Sequence, residues 1–392
     1  MAKVLKAGVD AGNNSLKLAV QDQEPMIIPT SYYLYVGESS DQFTSEQEDI
    51  PPKELIDNID VTITSAAIST NGMRHIVGRK ILTDNLKSTE LEKQSDKSTD
   101  DIPVIVALSG LAVSAMKQQP DKDTLRVNYD IGLALPIATI TPEAAARQAE
   151  RFTGTHTVVY HHPSGRSVTV HIMIEYAKCL PEGAAAAWGI VYNQKGELAK
   201  RKVEVGNQVA SRTMEDKTLL VYDIGAGTTE KVVLHGVKFL PKQSSGLNYG
   251  SKETLMEVQA IWNHQNPRNT IDTMVEFEDI FFDSEHPRHN SLVQLAKPAL
   301  LQLSNQLSTD IINKIDDMKD DPFVFVIGGG AAVLKDTLHA TLNKKGRTTN
   351  VTFVQRPLFA NATGLLVYAL SPRFQALKDK DLGVAANAEK AK

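Results

Sequence analysis

The chain has a single cysteine, Cys179, in 392 residues. One thiol excludes an internal disulfide framework and fits a reducing compartment, so a cytoplasmic location is expected. No stretch approaches the ~18 consecutive apolar residues of a membrane-crossing helix. The opening residues, MAKVLKAGVDAGNNSLKLAV, interrupt every apolar run with Lys, Asp or Asn, so no secretory leader is expected. Positive charge is not in excess either. The formal net charge of -5 gives no global pull onto nucleic acid. Two common phosphate-binding signatures are missing: there is no G-x-x-x-x-G-K-[ST] loop and no G-x-G-x-x-G fingerprint after a strand.

What is present is a globular composition, 42% hydrophobic and 23% charged, in a chain too long for one ordinary domain. Residues 3–10 read as an apolar strand ending at Asp10. A turn at 11–14 and a second strand from Ser15 to Val20 complete a hairpin. Residues 36–60 are acidic and irregular, with Pro51-Pro52. Residues 84–101, DNLKSTELEKQSDKSTDD, read as a solvated helix or linker. Ile102 to Gln118 suits a buried helix, and Tyr129 to Ile140 a strand. Thr141-Pro142-Glu143 carries helix-start chemistry and opens a helix through Phe152. Residues 155–175 alternate as a hairpin, and an Ala-rich helix covers 183–192. Strands at 219–222 and 230–234 flank Asp223-Ile224-Gly225-Ala226-Gly227-Thr228-Thr229. Helices follow at 247–262 and 291–318, the latter with a potential break near Pro298. A strand at 323–327 leads through three glycines into a helix at 331–342. A short strand at 351–354 and a helix at 361–370 precede a Lys- and Ala-rich tail, expected to be frayed. Hairpins mixed with helical crossovers indicate mixed sheets flanked by helices.

Three segments carry chemistry. A turn of Gly, Ala, Asn or Thr exposes backbone N–H groups with no large side chain in the way, and a carboxylate just before it can hold a hydrated magnesium ion. Asp10 with Gly12, Asn13 and Asn14, and Asp223 with Gly225, Ala226, Gly227, Thr228 and Thr229, both have this form. Lys17 can return over the first turn to neutralise phosphate. Either hairpin alone is also compatible with an ordinary turn whose Asp accepts backbone bonds. The pair, half a chain apart, favours phosphate binding. Gly328, Gly329 and Gly330, between a buried strand and a helix, let a flat ligand approach the backbone. His161 and His162, adjacent in a strand, point to opposite faces and do not suit one shared ion. Cys179 reads as a buried structural thiol.

In this order the motifs resemble the actin, sugar-kinase and heat-shock-chaperone ATPase superfamily. GVDAGNNSLKLAV looks like its first phosphate motif, VYDIGAGTTEKVV its second and FVFVIGGGAAVL its adenosine motif. Pro181-Glu182-Gly183-Ala184 and Asn361-Ala362-Thr363-Gly364 look like its connecting helices. LPIATITPEAAARQAERFTG, with the hairpin and KCLPEGAAAAWG after it, is similar to bacterial plasmid-segregation actins of the ParM type and to related archaeal actins.

The resemblance implies an α/β, actin-like fold of two lobes, each a mixed β-sheet flanked by helices in tandem ribonuclease-H-like domains. Lobe I would span 1–180, with an insertion near 30–100 and completion by 345–375. Lobe II would span 181–344, with an insertion near 250–320, and 376–392 would be a flexible tail. It implies ATP, ADP after hydrolysis, and Mg²⁺, with Asp10 and Asp223 toward the metal. Glu182 would orient the water that attacks the terminal phosphate, although a glutamate in a first helical turn also suits the helix dipole. Gly246, Lys252 and Glu253 fall where ribose or adenine contacts are expected, and a solvated helix face explains the two charged residues equally.

The expected function is an ATPase that polymerises into nucleotide-dependent filaments. Its role would be plasmid or other DNA segregation through a separate DNA-binding, ParR-like adaptor, with no direct nucleic-acid binding and no membrane contact. A small-molecule, sugar-type kinase is the alternative, although such enzymes usually need a cleft aspartate as base where this chain offers Glu182. A cell-shape or division ATPase would be expected to carry a membrane-binding amphipathic helix, and none is apparent at either end. A chaperone would need a peptide-binding domain, for which the residues after 370 are too few.

Overall fold

The computed structural model describes residues 3–37, 48–91, 95–205, 208–347 and 350–383. By compactness the chain forms two units, residues 1–197 with 361–392, and residues 198–360. The sequence reading put the division at 180/181 and the return at 345.

In the first unit the elements run β1 (Val4–Ala11), β2 (Ser15–Val20), β3 (Met26–Pro29), β4 (Ser31–Leu34), β5 (Ile59–Thr64), β6 (Met73–Val77) and α1 (Arg79–Thr83). They continue with β7 (Thr89–Glu90), α2 (Ile102–Gln118), β8 (Thr124–Leu135), α3 (Pro142–Phe152), β9 (Gly154–His161), β10 (Ser167–Pro181) and α4 (Ala184–Val191). The strands form one mixed sheet of order β3-β2-β1-β8-β10-β9-β5-β6-β4-β7. The stretch 30–100, read as an insertion, therefore contributes β4 to β7 to this sheet; its residues 38–47 and 92–94 lie outside the described residues.

Alternation along the strands decides what faces what. Leu5, Ala7, Val9 and Ala11 of β1, Leu16, Leu18 and Val20 of β2, and Tyr129, Ile131 and Leu133 of β8 enter one core with α2. α2 is buried along its length from Ile102 to Met116, as a helix apolar on all sides must be. The opposite face of the same strands carries small residues. Ala19 packs on Ala362 and Leu366, and Ala134 on Ala185 and Leu365. Thus Asp10 and Lys17, out of phase with the core residues, share this second face, and the β1–β2 register sets them directly opposite each other.

β10 reaches the same face by an irregularity. Val170, Ile172 and Ile174 point into the core, but after a register shift between Ile174 and Tyr176 it is Ala177 and Cys179 that do so. Such a bulge inverts the parity of everything beyond it. It also explains why the alternation read from sequence stopped at 175 while the strand continues to Pro181. β8 likewise ends at Leu135 rather than Ile140, because the chain after Pro136 closes a turn onto the Pro136 carbonyl from Thr139 and Ile140.

The second unit runs β11 (Arg201–Val205), β12 (Gln208–Arg212), β13 (Thr218–Ile224), β14 (Thr229–His235), β15 (Lys238–Phe239), β16 (Ser245–Leu247) and α5 (Lys252–Gln265). It continues with α6 (Met274–Phe282), α7 (His289–Asp316), β17 (Phe323–Ile327), α8 (Gly329–Lys344) and β18 (Val351–Phe353). Its main sheet has the order β15-β14-β13-β17-β18, with β16 also on β14. Leu220, Tyr222 and Ile224 join a core with α5 to α8. Pro298 sits inside α7 without ending it, because Leu292, Ala296, Leu300 and Leu303 bury one continuous stripe across it.

The chain returns to the first unit through α9 (Ala360–Leu370) and α10 (Pro372–Asp381). Residues 376–381, read as part of a frayed tail, are helical. Ser371 caps the helix by accepting from Phe374 N, and Lys378 donates to the buried Asp130 and to Glu175. Residues 384–392 lie outside the described residues.

α9 and α4 cross at backbone contact. A Cβ on Gly364 would stand 2.1 Å from the Ala185 carbonyl oxygen and 2.8 Å from the Ala186 Cα. Since both neighbours are backbone, Gly364→Ala is expected to destabilise the protein by about 2–3 kcal/mol. A urea unfolding midpoint unchanged from wild type would contradict this crossing.

Candidate functional site

In the first unit the site assembles around Asp10. The last turn of β1 places its carboxyl on the face away from the core, 7% exposed. Burial is the main influence and pushes this carboxyl up to about 6. Lys17 opposes the rise, Glu182 adds to it, and Lys97 and an Asn361 side-chain hydrogen bond oppose it again. One carboxyl thus sits in the field of two ammonium groups and a second carboxylate.

The turn after Asp10 is tightly held. Gly12 N donates to the Asp10 carbonyl (3.2 Å), Thr30 Oγ1 donates to the Gly12 carbonyl (2.8 Å), and Thr30 N donates to the Asn14 carbonyl (3.0 Å). Lys17 does return over the turn: its Nζ donates to the Ser15 carbonyl at 3.1 Å, and a Cβ on Gly12 would lie 3.0 Å from that Nζ. Gly12, Asn13, Asn14 and Lys17 are therefore brought together with Asp10.

Glu182 follows β10, with its N–H on the Leu135 carbonyl (2.8 Å). Gly183, at φ 73°, turns the chain into α4 and donates its N–H to Asn361 Oδ1 at 3.0 Å. Asn361 thereby ties the start of α4 to Asp10. The Glu182 carboxylate is met by Lys97, whose Nζ donates to Oε1 at 2.9 Å, with the two side chains 9% and 12% exposed. The stretch 84–101 was read as solvated, and at Lys97 and Ser98 that is incorrect: both are buried. The physical reason is that its backbone is fastened by α3, whose Arg147 and Arg151 bind Asp96, Ser98, Asp100 and Asp101. A usable signal was present. Ser-Thr-Asp-Asp before Ile102-Pro103 is helix-start chemistry, and Asp100 Oδ1 does accept from Ile102 N.

Cys179 is half-buried, and its thiol is pushed well up by burial and by the Glu182 charge, which suits a structural rather than a nucleophilic role. His161 and His162 part company. The first meets Thr62 and Ser167, while the second accepts from Ile50 N.

In the second unit Asp223 occupies the matching place at the end of β13, 8% exposed. Its neighbour across β14 is Glu230, whereas Asp10 faces Lys17. Gly225 N donates to the Thr228 carbonyl (2.8 Å), closing the turn that holds Ala226 and Gly227. The carbonyls of Gly225 and Ala226 accept from Ser251 N (3.1 Å) and Lys252 N (2.9 Å), so the turn is fixed on the first turn of α5. Thr229 is fully buried, and its hydroxyl donates to the Tyr249 carbonyl at 2.9 Å.

Gly246 lies in β16 opposite Glu230, while Lys252 and Glu253 open α5, half-buried and exposed respectively. Gly328 holds φ 91°, and a Cβ there would stand 2.5 Å from Asp223 Oδ1. Glycine is thereby required at 328, under the aspartate itself. Gly329 has open space where a Cβ would be, whereas Gly330 packs on Ile224. Among the described residues no three His, Cys, Asp or Glu side chains converge as a metal cage. A magnesium ion arriving with phosphates and keeping its waters needs only one or two carboxylates, and each unit has one buried carboxylate at the head of its turn, Asp10 in the first and Asp223 in the second.

Asp10 gives a pH-dependent prediction. Its native carboxyl holds a proton up to about pH 6, and the unfolded one only to about 3.8. Stability contributed by the protonated form is complete below 3.8 and is lost as pH rises through 6. Asp10→Asn should match wild type near pH 4 and be more stable by about 2–3 kcal/mol at pH 7. Denaturant unfolding at both pH values checks this, and a difference independent of pH would contradict it.

Residues 8–184 match the model of the actin like proteins N terminal domain, and residues 221–340 that of the archaeal actin homologue MreB-like, C-terminal. Among solved structures the chain is similar to the actin-like protein Alp7A, with 20% identity, 99% of each chain covered and a TM-score of 0.72. It is similar to Bacillus thuringiensis ParM with ATP, with 17% identity over 94% of this chain and 98% of that one, at a TM-score of 0.66. Ta0583, an archaeal actin homologue, aligns with 15% identity over 94% and 99%, at a TM-score of 0.60. No curated protein sequence matches significantly. With two such family models in chain order, together spanning most of its length, the chain belongs to the actin-like superfamily, and its fold is like that of ParM.

Proposed function

We propose that this protein is an actin-like ATPase that binds ATP with magnesium and assembles into nucleotide-dependent filaments. The observation that carries this reading is a device built twice: a buried aspartate ends a strand and heads a donor-rich turn, once at Asp10 and once at Asp223. The turn in each unit is suited to phosphate oxygens. Bacillus thuringiensis ParM has been solved with ATP, AMPPNP and ADP, which supports an adenine nucleotide here.

Roles follow from the geometry. Gly12, Asn13, Asn14 and Lys17 receive phosphate in the first unit, and Gly225 to Thr229 in the second. Gly328 to Gly330 form the flat ground for the nucleoside, and Gly329 is the position with space above it. Gly246, Lys252 and Glu253 contribute near the ribose. Asp10 in the first unit and Asp223 in the second are the carboxylates that would hold a hydrated magnesium ion, which would supply charge neutralisation to the phosphate oxygens. Glu182, whose carboxylate is met by Lys97 when no nucleotide is bound, orients the attacking water. Phosphoryl transfer asks mainly for such orientation and charge compensation. The biological role is segregation of a plasmid or other DNA, with a DNA-binding adaptor making the link, in the cytoplasm.

Sedimentation of the purified chain with magnesium and ATP, AMPPNP or ADP tests the filament. Pelleting with ATP or AMPPNP is expected. No nucleotide-dependent pelleting over a wide concentration range, or ADP release that depends on added sugar, would overturn it. Glu182→Ala is expected to slow hydrolysis on the order of a hundredfold while polymer still forms. Unchanged turnover would remove Glu182 from its role. Asp223→Ala should abolish magnesium-nucleotide binding, read by a fluorescent ATP analogue, and undiminished affinity would count against this site.

A further inference from the structure

Lys97 is the group that the motifs do not account for. A lysine taken out of water loses several kcal/mol of hydration, so its burial needs a specific partner. Lys97 has one in Glu182. The peptide that carries it is fastened on both sides. Asp96 Oδ1 accepts from Ser98 N (2.9 Å) and Ser98 Oγ (2.6 Å), and Arg147 donates to Asp96 Oδ2 (2.9 Å) and Ser98 Oγ (2.6 Å). Arg151 donates to the Asp100 carbonyl (2.6 Å), the Ala67 carbonyl (2.8 Å) and Asp101 Oδ1 (2.5 Å). Two arginines of α3 thus fix a short turn whose one inward-pointing cation meets the candidate water-orienting carboxylate. That cation also acts on Asp10, at the head of the phosphate turn.

We propose that Lys97 is a positioning residue that reports the terminal phosphate of a nucleoside triphosphate to Glu182. With no such phosphate present, the ammonium holds the Glu182 carboxylate. A terminal phosphate carries more negative charge and three acceptor oxygens, and it competes for the same ammonium. Lys97 is suited to this exchange, because its compact point charge has no planar fork to lock it onto one carboxylate. When Lys97 turns to the phosphate, Glu182 is released to orient water. A diphosphate lacks the competing group, so Lys97 stays on Glu182. The contact therefore discriminates triphosphate from diphosphate and couples that discrimination to hydrolysis. This inference rests on the proposed nucleotide site.

The test is titration calorimetry of the full chain with magnesium-AMPPNP and magnesium-ADP, for wild type, Lys97→Ala, Lys97→Arg, Glu182→Gln and the double variant Lys97→Ala/Glu182→Gln. The melting temperature of each is recorded without nucleotide. Lys97→Ala should weaken AMPPNP about tenfold or more, the loss of one charge-assisted contact, while ADP stays within about twofold. Lys97→Arg should restore part of the AMPPNP affinity. Glu182→Gln removes the competing charge and should tighten AMPPNP about threefold or more when Lys97 is present, and leave it unchanged when residue 97 is Ala. The double variant leaves no buried charge without its partner, so it keeps the test open should Lys97→Ala fail to fold. Equal losses for both nucleotides, or no loss for either, would overturn the role of Lys97. So would a Glu182→Gln effect of the same size in both backgrounds. Wild-type protein that binds neither nucleotide overturns the proposed function itself, and that outcome is distinct from the others.

Discussion

A buried carboxyl at the end of β1 is the constraint around which the first unit is arranged. Asp10 lies on the sheet face turned away from the main core, where desolvation resists its charge. Most of the groups near it answer that charge. Lys17 faces it across the hairpin, and the Asn361 amide reaches it from α9 while holding the start of α4. The Lys97–Glu182 pair adds one charge of each sign. Such an arrangement is poor for stability, as a site that gives up folding energy for function would be, and it accords with the proposed binding of a cation with phosphate.

The second unit repeats the outline with different means. Asp223 also ends a central strand, but the strand opposite offers Glu230 in place of a lysine. The turn is fastened by α5 through backbone N–H groups, and Gly328 passes beneath the aspartate with no side chain. The same outer form, a carboxylate before a turn of small residues, is thus supported by side-chain charge in one unit and by helix amides and a glycine in the other.

Regular features were legible in the residues. Thr141-Pro142-Glu143 gave a capped helix because capping is local, and the Thr141 hydroxyl accepts from Ala144 N as that chemistry requires. The strand-turn-strand outline around Asp10 and Asp223 was legible for the same reason. Irregular features were not. The bulge at Ile174/Tyr176 has no signature in alternation except its failure, so β10 seemed to end early. Pro298 seemed to break a helix that packing on both sides of it keeps whole. Lys97 seemed solvated, because a charged run gives no hint of two arginines fifty residues later in α3.

The sequence by itself determined the two strand-turn-strand outlines, the aspartates that head their turns, the glycine run between a strand and a helix and the capped start of the helix at Pro142, all set by short-range sterics and hydrogen bonding. It also placed Glu182 at the start of a helix. Only the tertiary structure decided what surrounds those residues. The bulge parity turns Glu182 toward Asp10, the crossing of α4 and α9 at Gly364 brings Asn361 to both, and the arginine clamp on 96–101 buries Lys97 against Glu182. These depend on contacts between segments far apart in the chain, where burial and charge rather than local propensity choose the partner.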